Sequence, residues 1–198
     1  MPPRSHSKDR CEKCEIHRPL CFCNQIKRTD SKTKVLILMH LRETHLTSNT
    51  ARLSTLILKN SELRLRGLQH KQLDLSDVLT EEYTPLLLYP SDDAIELTKE
   101  YVETLKKPVL LIVPDGSWRQ ASKVGTREPQ LKKVTRVKLV HSEPSEYQLR
   151  KQKGELGLST IEAIARALGI LESPSIQKEI ERVFRIKVER TLISRGEK

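Results

Sequence analysis

Large aromatic side chains are nearly absent, with two Phe and one Trp in 198 residues. Any core must therefore be aliphatic. No apolar run approaches the about 18 residues of a membrane-spanning helix. The opening segment, MPPRSHSKDR, lacks the apolar stretch of a secretory signal. Cysteine is missing from residue 24 onward, which argues against a disulfide framework spread through a secreted fold. There is no P-loop, no GxGxxG and no GxSxG elbow, so the commonest nucleotide-binding and hydrolase motifs are excluded. These absences lead to the expectation of a soluble cytoplasmic protein with no membrane contact. Nothing in the sequence calls for an obligate protein partner.

What is present suffices for a folded domain. Hydrophobic residues make up 36% of the chain, and the length suits one domain with a small appendage. Net charge is +10, which favours a polyanionic partner such as nucleic acid or an anionic membrane surface. The charge is segregated. From Gln72 to Lys106 there are nine acids and two bases, whereas Arg119 to Lys153 holds ten bases and three acids. Such segregation suits a binding face better than a uniformly solvated coat.

All four cysteines, Cys11, Cys14, Cys21 and Cys23, fall in a C-x2-C-x6-C-x-C pattern. Two short-spaced pairs can supply a tetrahedral set of soft ligands, so structural zinc is the expected occupant. His17 lies between the pairs and can replace one thiolate. An iron–sulfur cluster and free or redox-active thiols are the alternatives. We place this knuckle at residues 8–28 and a second domain at 34–198.

The second domain reads as α/β. Val35–Met39, Leu86–Tyr89 and Val109–Val113 are short apolar runs typical of buried parallel strands, and Val134–Val140 is a fourth strand candidate. Pro90 and Pro114 are expected to stop the second and third. Helices are expected after Ser48–Asn49, from Ser91 to about Leu105, from Thr160 to Leu168 closed by Gly169, and from Ile176 to Ile193. Alternating strands and helices imply a mainly parallel sheet, whose ligands bind beyond the carboxyl ends of the strands.

Three loops lie at those ends: the one after Met39, Tyr89-Pro90-Ser91, and Pro114-Asp115-Gly116-Ser117-Trp118. The last combines a carboxylate, a flexible glycine, a hydroxyl and the sole tryptophan. Asp115 can accept a proton or cap a helix, and Trp118 can stack on a flat ring or fill the core. His40, Arg42 and Glu43 follow the first strand and can orient a polar substrate, although a lone His at a strand end is commonly structural. Gly157-Leu158-Ser159-Thr160 leads into a helix whose first amides suit an anion; Ser159 and Glu162 also form a plain capping box. The stretch from Tyr147 to Lys153 suits an RNA backbone, with Tyr147 available for stacking, or is a solvated basic loop.

Taken in order, the four cysteines, His40-x-x-Glu43 with Asn49-Thr50, Tyr89-Pro90, Asp115-x-Ser117-Trp118, Tyr147-x-Leu149-Arg150-Lys151 and Leu158-Ser159-Thr160-x-Glu162-Ala163 resemble the DTW-domain family. These are tRNA-uridine aminocarboxypropyltransferases related to an rRNA-modifying branch. Ser117 stands where the family's namesake motif has Thr, so the hydroxyl is kept and a methyl is lost.

The resemblance implies a SPOUT-like α/β fold with a knotted carboxyl half. It implies S-adenosylmethionine as cosubstrate and N3 of a tRNA uridine as acceptor of the 3-amino-3-carboxypropyl group. Asp115 becomes the candidate base, with Ser117, Trp118, His40 and Glu43 beside it. Tyr89, Pro90, Val113, Pro114, Gly116, Gly157, Leu158, Ser159, Thr160 and Glu162 become the candidate cosubstrate site. Arg42, Arg119, Lys123, Tyr147, Arg150, Lys151 and Lys153 become the candidate RNA contacts. An RNA methyltransferase of similar fold, an rRNA aminocarboxypropyltransferase and a non-catalytic zinc-knuckle RNA-binding protein remain the rival readings.

Overall fold

A computed structural model describes residues 9–68, 72–140, 145 and 157–196. Six strands form one sheet: β1 (Lys34–His40), β2 (Ser61–Arg66), β3 (Thr84–Leu88), β4 (Ile95–Glu96), β5 (Val109–Asp115) and β6 (Thr135–Lys138). Their order is β2-β1-β5-β3-β6-β4, and every pairing is parallel. Parallel strands need crossover segments, and the helices supply them. These are α1 (Ala51–Ile57), α2 (Lys99–Glu103), α3 (Trp118–Ala121), α4 (Val124–Arg127), α5 (Thr160–Leu171) and α6 (Pro174–Ser194).

The continuous apolar runs are explained by burial on both faces. Val35, Ile37 and Met39 pack with Val109, Leu111 and Val113 beneath α1, α5 and α6. Leu36 and Leu38 pack with Leu110 and Ile112 on the opposite face, against Leu75, Val124 and Leu131. A strand covered on both sides has no face left for polar residues. Residues 9–28 lie on the first face, where Cys14, Ile16 and Phe22 share a core with Phe184 of α6.

The structure corrects several expected elements. Pro114 does not stop β5, which runs to Asp115. β3 pairs with β5 only as far as Leu87 against Ile112, while β1 pairs with it out to Met39 against Asp115. Beyond Ile112 the β3 side of β5 is a local edge, where a residue without an N–H is tolerated. The helix expected over residues 91–105 is broken. Ile95 and Glu96 join the sheet edge, and only Lys99–Glu103 is helical, started by Thr98 Oγ1 accepting from Tyr101 N–H at 3.2 Å. Gly169 does not close α5, because it faces Gln177 of α6 and serves their close approach. β2 was not expected at all. The segment that would carry a knot includes residues 141–144 and 146–156, which lie outside the described residues. Among the described residues, no helix is long and apolar enough to cross a membrane.

Candidate active site and metal centre

Four sulfurs come together at the amino-terminal knuckle. All lie within 4.8 Å of one another, and the four thiols are free of disulfides. Cys11 Sγ is 3.7 Å from Cys23 Sγ, and Cys14 Sγ is 3.8 Å from Cys21 Sγ. A tetrahedral ion about 2.3 Å from each thiolate requires sulfurs about 3.8 Å apart. The residues therefore fit one four-coordinate ion, with zinc the natural match for four thiolates and no position left for catalysis.

The local chain supports that occupancy. Backbone N–H groups of Cys14 and Lys13 bond to the Cys11 sulfur and hold its thiol at about 6, against the raising effect of burial. Burial pushes Cys14 and Cys23 up, and a metal ion would reverse that by taking the thiolates as ligands. Glu15 adopts φ +60, turning the chain straight after the second cysteine. His17 is not in the sulfur group; its backbone bridges Arg10. Lys187 of α6, only 3% exposed, donates from Nζ to Cys14 O at 2.6 Å. Burial holds its ammonium below the ordinary lysine range.

The second site lies at the carboxyl ends of the central strands. Asp115 is 5% exposed. Its Oδ2 accepts from Asn49 Nδ2 at 2.7 Å and its Oδ1 from Thr160 Oγ1 at 2.6 Å. Asn49 just precedes α1, where its Oδ1 also accepts from Ala51 N–H at 3.0 Å. Thr160 opens α5. One carboxylate thus ties the starts of two helices to the end of β5.

The other candidates divide around this carboxylate. Asp115 follows Val109, Leu111 and Val113 in the alternation of β5 and so faces α1 and α5. His40 follows Leu36 and Leu38 and faces the other side of the sheet. The structure therefore does not bring His40 and Asp115 into one catalytic group. Glu43 is buried in the turn after β1, whereas Arg42 beside it is exposed.

Ser117 caps α3, its N–H donating to Gln120 Oε1 at 2.7 Å. Trp118 is 51% exposed, so it does not fill the core. Its ring meets Tyr89 edge-on, with centroids 6.3 Å apart at 61°. Val113 and Pro114 are buried strand residues that can offer a ligand only their backbone. Gly157 and Ser159 are buried just ahead of Thr160, with Leu158 between them.

Glu162 does what a capping box requires. Its Oε2 accepts from Ser159 N–H at 2.8 Å and Ser159 Oγ at 2.7 Å, and Ser145 Oγ adds a bond at 2.8 Å. It holds the turn that presents Thr160.

Arg119 is exposed, and Lys123 and Arg127 follow it at four-residue spacing. The Lys123 ammonium is held below its ordinary value by Arg127 and then Arg119, the signature of a crowded cationic row. Tyr147, Arg150, Lys151 and Lys153 lie outside the described residues. Sequence reasoning left Asn49, Gln120, Arg66 and Lys187 out of the site. Asn49 had a signal, its place in the ordered motifs; the other three had none.

The chain matches the DTW domain family over residues 8–192. It is 32% identical over 189 residues to a tRNA-uridine aminocarboxypropyltransferase 2 from Drosophila melanogaster, covering 91% of this chain and 73% of that one. It is 27% identical over 175 residues to the protein of that name from Macaca fascicularis, covering 85% of this chain and 58% of the other. It thus spans between about half and three quarters of these relatives' lengths. Its fold is similar to the SAM-dependent rRNA:acp-transferase Tsr3 from Vulcanisaeta distributa, with a TM-score of 0.51, 20% identity, and coverage of 82% and 79% of the two chains.

Proposed function

The chain belongs to the DTW domain family, and from that premise we propose that it transfers the 3-amino-3-carboxypropyl arm of S-adenosylmethionine to N3 of a tRNA uridine. The observation that carries this reading is the buried Asp115 carboxylate, fixed by Asn49 and Thr160 at the end of β5. The relatives named for this reaction support the choice of substrate.

Uridine N3 bears a proton and is a poor nucleophile until the proton leaves. In our reading Asp115 accepts it while N3 bonds to the γ-carbon of the arm and the carbon–sulfur bond breaks. The hydrogen bonds from Asn49 and Thr160 set the plane of the carboxylate before substrate arrives, so less ordering remains for the reaction itself. S-adenosylmethionine supplies an alkyl electrophile whose sulfonium departs as a neutral thioether, so no acid and no catalytic metal are called for at the leaving group.

The local architecture fits such a ligand. Beyond Ile112 the β3 side of β5 is unpaired in the sheet, so the backbone of Val113, Pro114 and Gly116 can meet an adenine edge. The Tyr89–Pro90 turn would close one side. Gly157 to Thr160 would close the other, where the start of α5 favours the carboxylate of the arm. The connection after β5 packs on one face through Val124 and Leu131, and that after β1 on the other through Ala51 and Leu53, an arrangement at which open parallel sheets take ligands.

RNA would cross the rim. Tyr89 and Trp118 offer a partly exposed aromatic surface for a base. Arg42, Arg119, Lys123 and Arg127 offer cations for phosphates. Tyr147, Arg150, Lys151 and Lys153 extend this list on the strength of sequence alone. The four-cysteine centre, well formed but closed, serves as a structural zinc site.

The test uses tRNA lacking the modification and two samples of S-adenosylmethionine, one labelled in the methyl group and one in the carboxypropyl arm. Label reaching RNA only from the arm is the expected result. Label only from the methyl would make the protein a methyltransferase. Arm label entering rRNA but not tRNA would move the acceptor, and no label from either would return the reading to RNA binding.

A further inference from the structure

His40 lies on the far side of the sheet from Asp115, yet its ring is closely held. Its Nδ1 accepts from the Arg42 backbone N–H at 3.1 Å and meets Gln120 Nε2 at 3.2 Å. The other end of the Gln120 amide, Oε1, accepts from Ser117 N–H at 2.7 Å and from Ser117 Oγ at 3.0 Å. Two backbone N–H groups, which can only donate, fix the whole chain of polarity. Because Ser117 N–H donates, Gln120 must present its oxygen there and its NH2 to His40. Because Arg42 N–H donates, His40 Nδ1 must be the acceptor and Nε2 must carry the proton.

Two glycines clear the space for this arrangement. A Cβ on Gly67, which has φ +80, would lie 3.0 Å from His40 Nε2. A Cβ on Gly116 would lie 2.8 Å from Gln120 Oε1. The imidazole is thus backed by Gly67, and the amide folds over Gly116. Arg66, buried beneath, also donates from Nη2 to the Gln120 main-chain oxygen. Burial, then Arg66 and Arg42, hold the imidazole below its ordinary value, with Glu43 opposing.

We propose that His40 is a positioning residue: through Nδ1 it holds the Gln120 amide, which holds the Ser117–Trp118 turn at the mouth of the site, and it carries no proton in the reaction. Gln120 is the middle member of the relay. The inference rests on the reading that this turn borders the transfer site.

The experiment compares His40→Asn, His40→Gln and Gln120→Leu in the full chain. Asn places an amide oxygen where Nδ1 was, and Gln places its amide where Nε2 was. Two readouts are taken: kcat/KM for arm transfer to tRNA, and acrylamide quenching of Trp118, the sole tryptophan. Losing an accepted bond inside a relay should lower kcat/KM roughly tenfold or more and raise quenching in His40→Gln and Gln120→Leu. His40→Asn should stay within about threefold of the parent in both. Gln120→Leu, on the half-exposed α3, keeps the test alive if His40→Gln fails to fold.

Equal loss of kcat/KM in His40→Asn and His40→Gln, with unchanged quenching, would overturn the proposal and make the ring a proton carrier. If the parent transfers nothing to tRNA, the functional reading has failed and quenching alone decides the relay. Quenching raised by His40→Gln and Gln120→Leu but not by His40→Asn then sustains it, and quenching unchanged in all three overturns it.

Discussion

The cysteine knuckle and the strand-end site are built in opposite ways. The knuckle takes its four ligands from Cys11 to Cys23, and short turns suffice to gather them. The strand-end site joins Asn49, Asp115 and Thr160, separated by 66 and 45 residues, and only the packed sheet brings them together. The first is a local device that needs an ion to hold its charges. The second is a long-range device that needs no ion, because two neutral donors already meet the carboxylate.

The difference predicts distinct ways of failing, and metal removal should have the largest effect. Structural zinc contributes on the order of 10 kcal/mol to folding in small metal-held units. Cys14, Ile16 and Phe22 share the core with Phe184, so the loss should spread beyond the knuckle. Chelation, or Cys14→Ser, should expose the α6 face and lower the melting temperature by well over ten degrees, as calorimetry would show. An unchanged melt after complete metal removal would mean the knuckle is held by packing alone.

Next in size is the strand-end carboxylate. Asp115→Asn keeps the shape but loses the acceptor oxygen on one side. Transfer should fall by about 10²- to 10⁴-fold in kcat, while tRNA affinity, followed by filter binding, changes little. Stability should also fall modestly, because the new amide turns its oxygen to Asn49 Nδ2 and its NH2 to the accepting hydroxyl of Thr160, and two charge-assisted bonds become neutral ones. Single-turnover kinetics would separate the two effects, and near-parental turnover would remove Asp115 from the chemistry.

Lys187 sharpens the comparison from the other end of the chain. Four thiolates around a divalent ion leave a net charge of −2, and the Lys187 ammonium bonds to Cys14 O beside them. Lys187→Met should weaken zinc about tenfold to a hundredfold in a chelator competition, with little change in kcat once zinc is saturating.

The smallest effect concerns pH. His40 has its folded value lowered from 6.5 by burial, Arg66 and Arg42. As pH falls below 6.5, the unfolded chain takes the proton first. The stability supplied by neutral His40 is therefore complete above 6.5 and is lost as pH falls through the lowered folded value. Melting temperatures between pH 7.5 and 5.5 should fall by a few degrees more in the parent than in His40→Asn. Identical profiles would show that the ring titrates without the relay's constraint.

Much of this was legible in the residues themselves. The apolar runs at Val35 and Val109 announced strands buried on two faces. The cysteine spacing announced its centre, and Ser159 with Glu162 announced the start of α5. Errors came where neighbours overrode local pattern. Pro114 continues a strand because one side of β5 has no partner there. Ile95 leaves a helical pattern because β6 offers it a place in the sheet. Trp118, which suits a core on composition, sits half-exposed because the turn after β5 points it at Tyr89.

The sequence by itself determined the strands β1, β3 and β5, the helices α1, α5 and α6, and which residues can meet a metal, because periodicity, capping and close cysteine spacing act over a few residues. It also carried the ordered motifs that mark the family. Only the tertiary structure decided how those motifs are shared out. Strand alternation sends Asp115 to one face and His40 to the other, although they sit one register step apart. No local rule links residue 49 to residue 115 or residue 187 to residue 14. Those contacts exist because the order β2-β1-β5-β3-β6-β4 and the final α6 fold the chain back across itself, and the free energy that selects them belongs to the whole core.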